Sequence, residues 1–133
     1  MKYYLSSVLA VILTFSTSFL CDIKAQDQKP FDVTLMAEEE ANRLQKLLDL
    51  EDWQVFYVDS TLKVGYLKLQ ADLESLKKSK VSNVSIYQEV RDVCADNIDA
   101  SYKKIFNEDQ WAAYLKSGAA KQQKQRAKRR EKK

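Results

Sequence analysis

The chain of 133 residues contains no histidine, which removes the most common general base and the most common neutral metal ligand of proteins. It also contains no Gly-rich phosphate loop, no nucleophile elbow and no Cys–His pair. We therefore predict that the protein is not an enzyme and that it uses no cofactor and no metal. A hidden carboxylate pair for glycoside hydrolysis is the alternative left open by the acidic residues. Their distribution is more typical of a solvated helix face; they are Asp59, Asp72, Glu74, Glu89, Asp92, Asp96 and Asp99.

Glycine, proline and cysteine are scarce as well. Two glycines and one proline are too few for a chain built of hairpins and turns, so we predict long uninterrupted elements. Gly65 lies within one of them, where it allows either a bend or the close approach of another backbone. Of the two cysteines, Cys21 and Cys94, only the second falls in the predicted domain, so disulfides do not hold the domain together. The position of Cys94 on an apolar helical stripe favours a buried, inert thiol over an intermolecular disulfide.

Residues 1–25 have the pattern of a secretory signal peptide. Lys2 gives a basic start, residues 5–20 are apolar apart from Ser and Thr, and Ile23 and Ala25 occupy positions −3 and −1 of a cleavage point. The apolar run is shorter than the roughly 20 residues that a membrane-spanning helix needs. The sequence therefore predicts an exported protein, located in the periplasm or attached to the envelope.

Cys21 offers an alternative route to the envelope, because bacterial lipid attachment uses a cysteine at the new N-terminus. The bulky residues before it, Phe19 and Leu20, disfavour that processing. We expect cleavage after Ala25, followed by an irregular leader over residues 26–33.

Apolar residues recur at helical spacing from residue 34 to residue 116, which predicts an all-α domain. The predicted helices span about 34–48, 51–79, 84–105 and 108–116. The second and third are long and joined by a short polar connection, so we expect a long antiparallel hairpin flanked by the two shorter helices. A second set of apolar residues on the second helix, Phe56, Val64 and Leu67, lies off its main stripe and predicts an interaction surface or a dimer contact.

Charge is divided between an acidic body and a basic tail. Residues 26–116 hold 12 Lys/Arg and 17 Asp/Glu, whereas residues 117–133 hold eight basic residues and one acid. We expect the tail to be disordered or a frayed helix. Anionic lipid head groups, lipopolysaccharide phosphates and the acidic body itself are its candidate partners, and export argues against nucleic acid. The basic residues are Lys121, Lys124, Arg126, Lys128, Arg129, Arg130, Lys132 and Lys133.

Two segments of the domain have the same pattern: Leu50-Glu51-Asp52-Trp53-Gln54 and Phe106-Asn107-Glu108-Asp109-Gln110. Each has an apolar residue, an acidic helix start and a glutamine four positions later, beside a tryptophan. Asn107 and Gln110 form a capping box, and Asp49 is expected to cap the second helix because Glu is a poor N-cap. We predict that both apolar residues and both tryptophans, Trp53 and Trp111, are buried in one cluster.

This pair of segments resembles the paired LTxxQ motif of the Spy/CpxP-like periplasmic proteins, over most of residues 34–116. Leu50 and Gln54 match the first copy, and Gln110 matches the second; Glu51 and Asn107 replace the Thr and Phe106 replaces the second Leu. The resemblance implies a four-helix fold, a cradle-shaped dimer, and ATP-independent chaperoning or envelope-stress sensing. Residues 41–57 are also similar to small exported helical proteins of Bacteroides-type bacteria.

The sequence thus favours a non-enzymatic exported binding protein, of which a holdase-like chaperone or a stress-related protein is the specific form. Its expected partners are protein clients or envelope components, with a homodimer as a further option. The alternative is a structural envelope protein attached through its basic tail to anionic surface components.

Overall fold

The computed structural model describes residues 32–132, and within this range the protein is all-α and contains no strand. Five α-helices follow one another: α1 (Val33–Leu48), α2 (Asp52–Lys78), α3 (Val84–Ile105), α4 (Glu108–Tyr114) and α5 (Ala120–Glu131). The fold class predicted from the sequence is confirmed. The predicted signal peptide, Cys21 and most of the predicted leader lie outside the described residues. None of the helices in residues 32–132 combines the length and the apolar character needed to cross a membrane.

Helices α2 and α3 form the long antiparallel hairpin. Its connection turns at Lys80, whose φ of 53° lies in the left-handed region. The Asn83 side chain then caps α3 by accepting a hydrogen bond from the backbone N–H of Ser85 at 2.9 Å. The hydroxyl of Tyr87 donates to the carbonyl of Val81 at 2.8 Å and fixes the connection to the first turn of α3.

Helix α1 packs against α2 and α4 at the end of the hairpin opposite this connection. Asp32 caps it by accepting from the backbone N–H groups of Thr34 and Leu35 at 3.0 and 3.1 Å. The buried face of α1 includes two small residues, which allow a close approach of the neighbouring helices. Its members are Val33, Ala37, Ala41, Leu44 and Leu48.

The hydrophobic core lies at the same end of the hairpin. It gathers Leu50, Val58, Leu62, Tyr102 and Phe106 around α1. The ring centroids of Tyr102 and Phe106 lie 5.1 Å apart, a separation typical of packed aromatic pairs. Burial raises the pKa of the Tyr102 phenol, whose hydroxyl has no hydrogen-bond partner in the part of the chain that the structure describes. Between residues 67 and 97, by contrast, no hydrophobic side chain is fully buried.

Gly65 and Cys94 face each other across the middle of the hairpin. Helix α2 continues through Gly65, and a Cβ atom there would lie 3.3 Å from Ile98 of α3. The absence of a side chain at Gly65 therefore makes room for the side chain of Ile98, and not for the backbone of α3. The half-buried Cys94 thiol donates to the carbonyl of Gly65 at 3.5 Å, and burial raises its pKa. A thiol with a raised pKa is less reactive. Cys94 was predicted to be buried, whereas the structure leaves it half-buried.

The basic tail differs from the frayed or disordered segment expected from the sequence. After α4 the chain makes one π-helical turn, Leu115–Ala119, in which Gly118 has a φ of 119°. Glycine adopts this backbone conformation without the strain that a Cβ would cause. The chain then continues as α5, whose Arg126 is buried. The tail is thus an ordered helix rather than a frayed or disordered one; α5 has almost no apolar face and is held by charge instead.

Candidate interaction surfaces

The two glutamines of the repeated segments meet in the core end of the molecule. Gln54 is 4% exposed and Gln110 is 9% exposed. The Gln54 Nε2 donates to Gln110 Oε1 at 2.7 Å, and the Gln110 Nε2 donates to Gln54 Oε1 at 3.0 Å. The two amides therefore form a reciprocal, cyclic pair that joins the start of α2 to the start of α4.

Each amide of this pair also binds the backbone on both sides. Each Oε1 accepts from the N–H of the residue that caps its own helix, Glu51 or Asn107, at 3.0 Å. Each Nε2 donates its second hydrogen to a carbonyl at the end of another helix, Ile105 at 3.0 Å or Asp49 at 3.4 Å. A glutamine amide has two donors and two acceptor lone pairs, so all eight hydrogen-bonding positions of the pair are used. Buried polar groups that are fully satisfied fix one arrangement of the chain, and this pair fixes how the four helix ends meet.

The remaining residues of the repeated segments take up different roles. Leu50 and Phe106 both enter the hydrophobic core, as the pattern predicted. The predicted capping box of α4 is present, since Asn107 Oδ1 accepts from the Gln110 N–H at 2.8 Å. The assignment of Asp49 as the cap of α2 is wrong. Glu51 occupies the N-cap, and Asp49 ends α1 in the left-handed conformation with a φ of 52°.

Trp53 is not buried, contrary to the prediction. It is 51% exposed; its indole N–H donates to Glu51 Oε2 at 2.6 Å and its ring packs edge-on against Tyr57 at 6.2 Å. The position of Trp53 explains this, because it lies on the face of α2 opposite Val58 and Leu62. The spacing of Trp53 from Val58 and Leu62, five and nine residues, is visible in the sequence. Trp111, in contrast, is half-buried and packs against the core.

Trp53 belongs to a row of exposed apolar side chains along the outer side of α2, which we call the α2 face. Its members are Trp53, Phe56, Tyr57, Val64 and Leu67, and their exposed fractions range from 51% to 69%. Positions 53, 57, 60, 64 and 67 alternate spacings of four and three, which is the spacing of a coiled-coil seam. Only Ser60 interrupts this row with a polar side chain. Helix α2 thus has two opposite apolar faces, one in the core and one in contact with solvent.

A second surface is the contact between α5 and α3, which is built of charged pairs. Arg129 binds both oxygens of Asp92, at 2.7 and 2.8 Å. The Nε of Arg126 lies 2.7 Å from an oxygen of Asp96, and Arg130 also pairs with Asp96. The hydrogen bond from Arg129 lowers the pKa of Asp92, which is buried and also accepts from Gln88.

Asp99 is the centre of this contact. It accepts from the hydroxyl of Tyr114 at 2.6 Å, from the amide of Gln123 at 3.1 Å and from Arg126. Burial and the bond to Asp99 together raise the pKa of Tyr114. The interpretation of Asp92, Asp96 and Asp99 as a solvated helix face is therefore wrong, because all three bind arginines of α5. Their spacing of four and three matches the row of arginines on α5, and this complementarity was the signal present in the sequence.

The lysines of α5 lie on its other side, which we call the lysine face. Lys121, Lys124, Lys128 and Lys132 are exposed, and their spacing of three, four and four places them on one side of the helix. None of them forms an ion pair with another residue of the described range. The predicted anion-binding set thus divides in two, since its arginines bind α3 while these lysines face solvent. Lys133, the last member of the set, lies outside the described residues.

No group of three or more Cys, Asp or Glu side chains in residues 32–132 is placed to hold a metal ion. A groove of about 440 Å³ between α3 and α5 is lined by Gln88, Val93 and Lys132, with the Asp92–Arg129 pair at its wall. Arg130, which also lines the groove, pairs with Asp96. Comparisons with protein families, with curated proteins and with solved structures find no match for this chain.

Proposed function

We propose that the protein is a non-enzymatic binding protein of the periplasm or envelope, which holds apolar segments of other proteins on the α2 face. The observation that carries the proposal is the row of exposed apolar side chains from Trp53 to Leu67. Large exposed apolar patches are uncommon on monomeric proteins and are typical of interaction sites. Export is proposed from the signal-peptide pattern of residues 1–25.

The composition of the α2 face suits a client that is unfolded or partly folded. Three of its members are aromatic and two are aliphatic, and all five are more than half exposed. Aromatic residues concentrate binding energy at protein interfaces, since each covers a large area at a small entropic cost. Such a face fits many apolar sequences, which is the property that a holdase-like chaperone needs. The resemblance of the repeated segments to the Spy/CpxP-like proteins supports the same proposal.

The test is suppression of aggregation of an unfolding client at a stoichiometric ratio. The triple variant Phe56→Ser, Val64→Ser, Leu67→Ser removes the centre of the α2 face. The matched control is Leu35→Ser, Leu47→Ser, Val84→Ser, which removes three exposed apolar side chains elsewhere. We expect the wild-type chain and the control to keep the client in solution and the triple variant to lose this activity. Failure of the wild-type chain, or an equal loss in both variants, would exclude chaperoning by the α2 face.

A second copy of the chain is the competing occupant of the α2 face. Sedimentation of the same three proteins distinguishes the two cases. If the wild-type chain is a dimer that the triple variant converts to a monomer, the α2 face is a homodimer contact and the client must bind elsewhere. If all three proteins are monomers, the face is available to clients.

A further inference from the structure

We propose that α5 binds the surface of anionic lipid bilayers through its lysine face, while its arginines attach it to the protein. This role goes beyond the proposed function, because it uses α5 and leaves the α2 face free for protein partners. It assigns the two kinds of basic residue in the same helix to two different tasks.

The arginines of α5 are already neutralised within the protein. The side chain of Arg126 is 6% exposed and contacts Asp96 and Asp99, and Arg129 is held by both oxygens of Asp92. Planar guanidinium groups suit such bidentate carboxylate pairs. These arginines are therefore engaged, and they fix the rotation of α5 about its own axis.

The fixed rotation points the lysine face away from α3. Lys121, Lys124 and Lys128 span two turns of α5, and Lys132 extends the row to about 16 Å at 1.5 Å per residue. Only one acidic side chain, Glu131, occurs in this helix. The row therefore combines several unneutralised positive charges in a geometry that the protein holds before any partner arrives.

The chemistry of the lysine face fits a lipid surface better than a shaped ligand. Lysine ammonium groups are point charges on flexible stems, which follow a fluid array of phosphate groups without requiring fixed positions. No aromatic side chain lies among them to stack on a base or to enter the apolar part of a bilayer. We therefore expect binding that is electrostatic, reversible by salt and confined to the head-group region.

The experiment measures partitioning of the purified full chain onto vesicles of phosphatidylglycerol and onto vesicles of phosphatidylcholine. The test variant is Lys121→Gln, Lys124→Gln, Lys128→Gln. The matched control is Lys46→Gln, Lys78→Gln, Lys104→Gln, which removes the same charge from exposed lysines on three other helices. Circular dichroism confirms that both variants keep the helical content of the wild-type chain. Each lysine near the surface contributes about fivefold in partitioning, so the test variant should bind about 100-fold more weakly than the wild-type chain.

We expect the wild-type chain to bind phosphatidylglycerol vesicles and not phosphatidylcholine vesicles, and the control to stay within about fivefold of the wild type, since distant charges are screened. Two outcomes overturn the proposal. One is an equal loss in both variants, which would mean that only net charge matters. The other is no binding to phosphatidylglycerol vesicles; if the chain then binds soluble polyglutamate, the lysine face is assigned to acidic protein segments instead.

Discussion

The two halves of the α2–α3 hairpin are stabilised by different interactions. At the core end, α1 and α4 cover the hairpin, and buried apolar side chains surround the Gln54–Gln110 pair. In the other half, between residues 67 and 97, no hydrophobic side chain is fully buried, and Asp92 is the one buried residue. There α5 is attached to α3 mainly through arginine–aspartate pairs. The comparison indicates that the core end determines the stability of the domain and that the other half opens more easily.

The reason lies in the relative size of the two contributions. Burial of a leucine or valine side chain contributes roughly 1.5–3 kcal/mol, and such contributions accumulate over the members of a core. When an ion pair is buried, the cost of removing its charges from water cancels most of the Coulomb attraction. An exposed ion pair contributes only about 0–1 kcal/mol. Local opening should therefore begin at α5 and in the part of the hairpin next to the connection. Salt and pH should act there first.

The largest expected effect compares the same substitution in the two halves. Leu62 is 2% exposed in the core, whereas Leu73 is only half-buried. We expect Leu62→Ala to lower the free energy of unfolding by about 2–5 kcal/mol, because it leaves a cavity among close-packed neighbours. Leu73→Ala should cost about 1 kcal/mol, since less transfer energy is lost and solvent fills the space. Urea denaturation followed by circular dichroism measures both values. Equal losses would contradict the division of the hairpin into a dominant half and a weaker half.

The glutamine pair allows a sharper test of the core end. Gln54→Leu leaves the amide of Gln110 buried with fewer partners, and we expect a loss of about 1–3 kcal/mol. Gln110→Leu should cost a similar amount for the same reason. In the double variant no orphaned amide of this pair remains, so its cost should be smaller than the sum, with a coupling of about 0.5–3 kcal/mol. Equilibrium unfolding of the four proteins of this cycle measures the coupling. Strict additivity would show that each amide acts through its own helix cap and not through the other.

A third prediction concerns pH and the other half of the hairpin. The pairing with Arg129 lowers the pKa of Asp92 below its ordinary value of 3.8. The stabilisation by this carboxylate is therefore complete above about pH 4 and is lost as the pH falls through the lower pKa of the folded state. We expect the hydrogen-exchange protection of α5 amides to fall as the pH drops below about 4, because protonation of Asp92 weakens its hydrogen bonds with Arg129. The amides of α1 should lose less.

The control for this prediction is Asp92→Asn, which keeps the shape of the side chain and removes its titration. In this variant the protection of α5 should already be low at about pH 5 and should change less on acidification. If the amides of α1 and α5 lose protection together in the wild-type chain, the two regions unfold as one unit. The proposed difference between the two halves would then be wrong.

Much of this architecture could be predicted from the sequence, because apolar spacing reports directly which side of a helix is buried. The helices of the hairpin begin and end within one residue of the predicted bounds. The repeated segments also predicted the insertion of Leu50 and Phe106 and the capping box at Asn107. None of these inferences depends on how distant parts of the chain meet.

Three features that were not predicted depend on contacts between distant parts of the chain. The pairing of Gln54 with Gln110 joins residues 56 positions apart, and no local pattern specifies such a contact. The tail was predicted to be disordered or a frayed helix, and its docking on α3 was not predicted, because the docking surface of α5 is charged and shows no apolar periodicity. The interpretation of Asp92 as solvated rested on the general exposure of carboxylates, which fails when an arginine row stands opposite. Electrostatic complementarity between distant segments is therefore the information that a search for apolar stripes leaves out.

The smallest expected effect on the free energy of unfolding is that of replacing Trp53. This substitution distinguishes a role in stability from a role in binding. Because half of its side chain is exposed, Trp53→Ala should cost only about 0.5–1 kcal/mol, the contribution of its contact with Tyr57. Trp111→Ala, which opens the core beside Tyr114, should cost more, near the lower end of the roughly 3–5 kcal/mol seen for buried aromatics. Thermal and urea unfolding measure both losses. In the aggregation assay we expect the reverse order at temperatures where both variants are folded, because Trp53 lies on the α2 face and Trp111 does not. A stable Trp53→Ala variant with full activity would restrict the client site to the part of α2 beyond Tyr57.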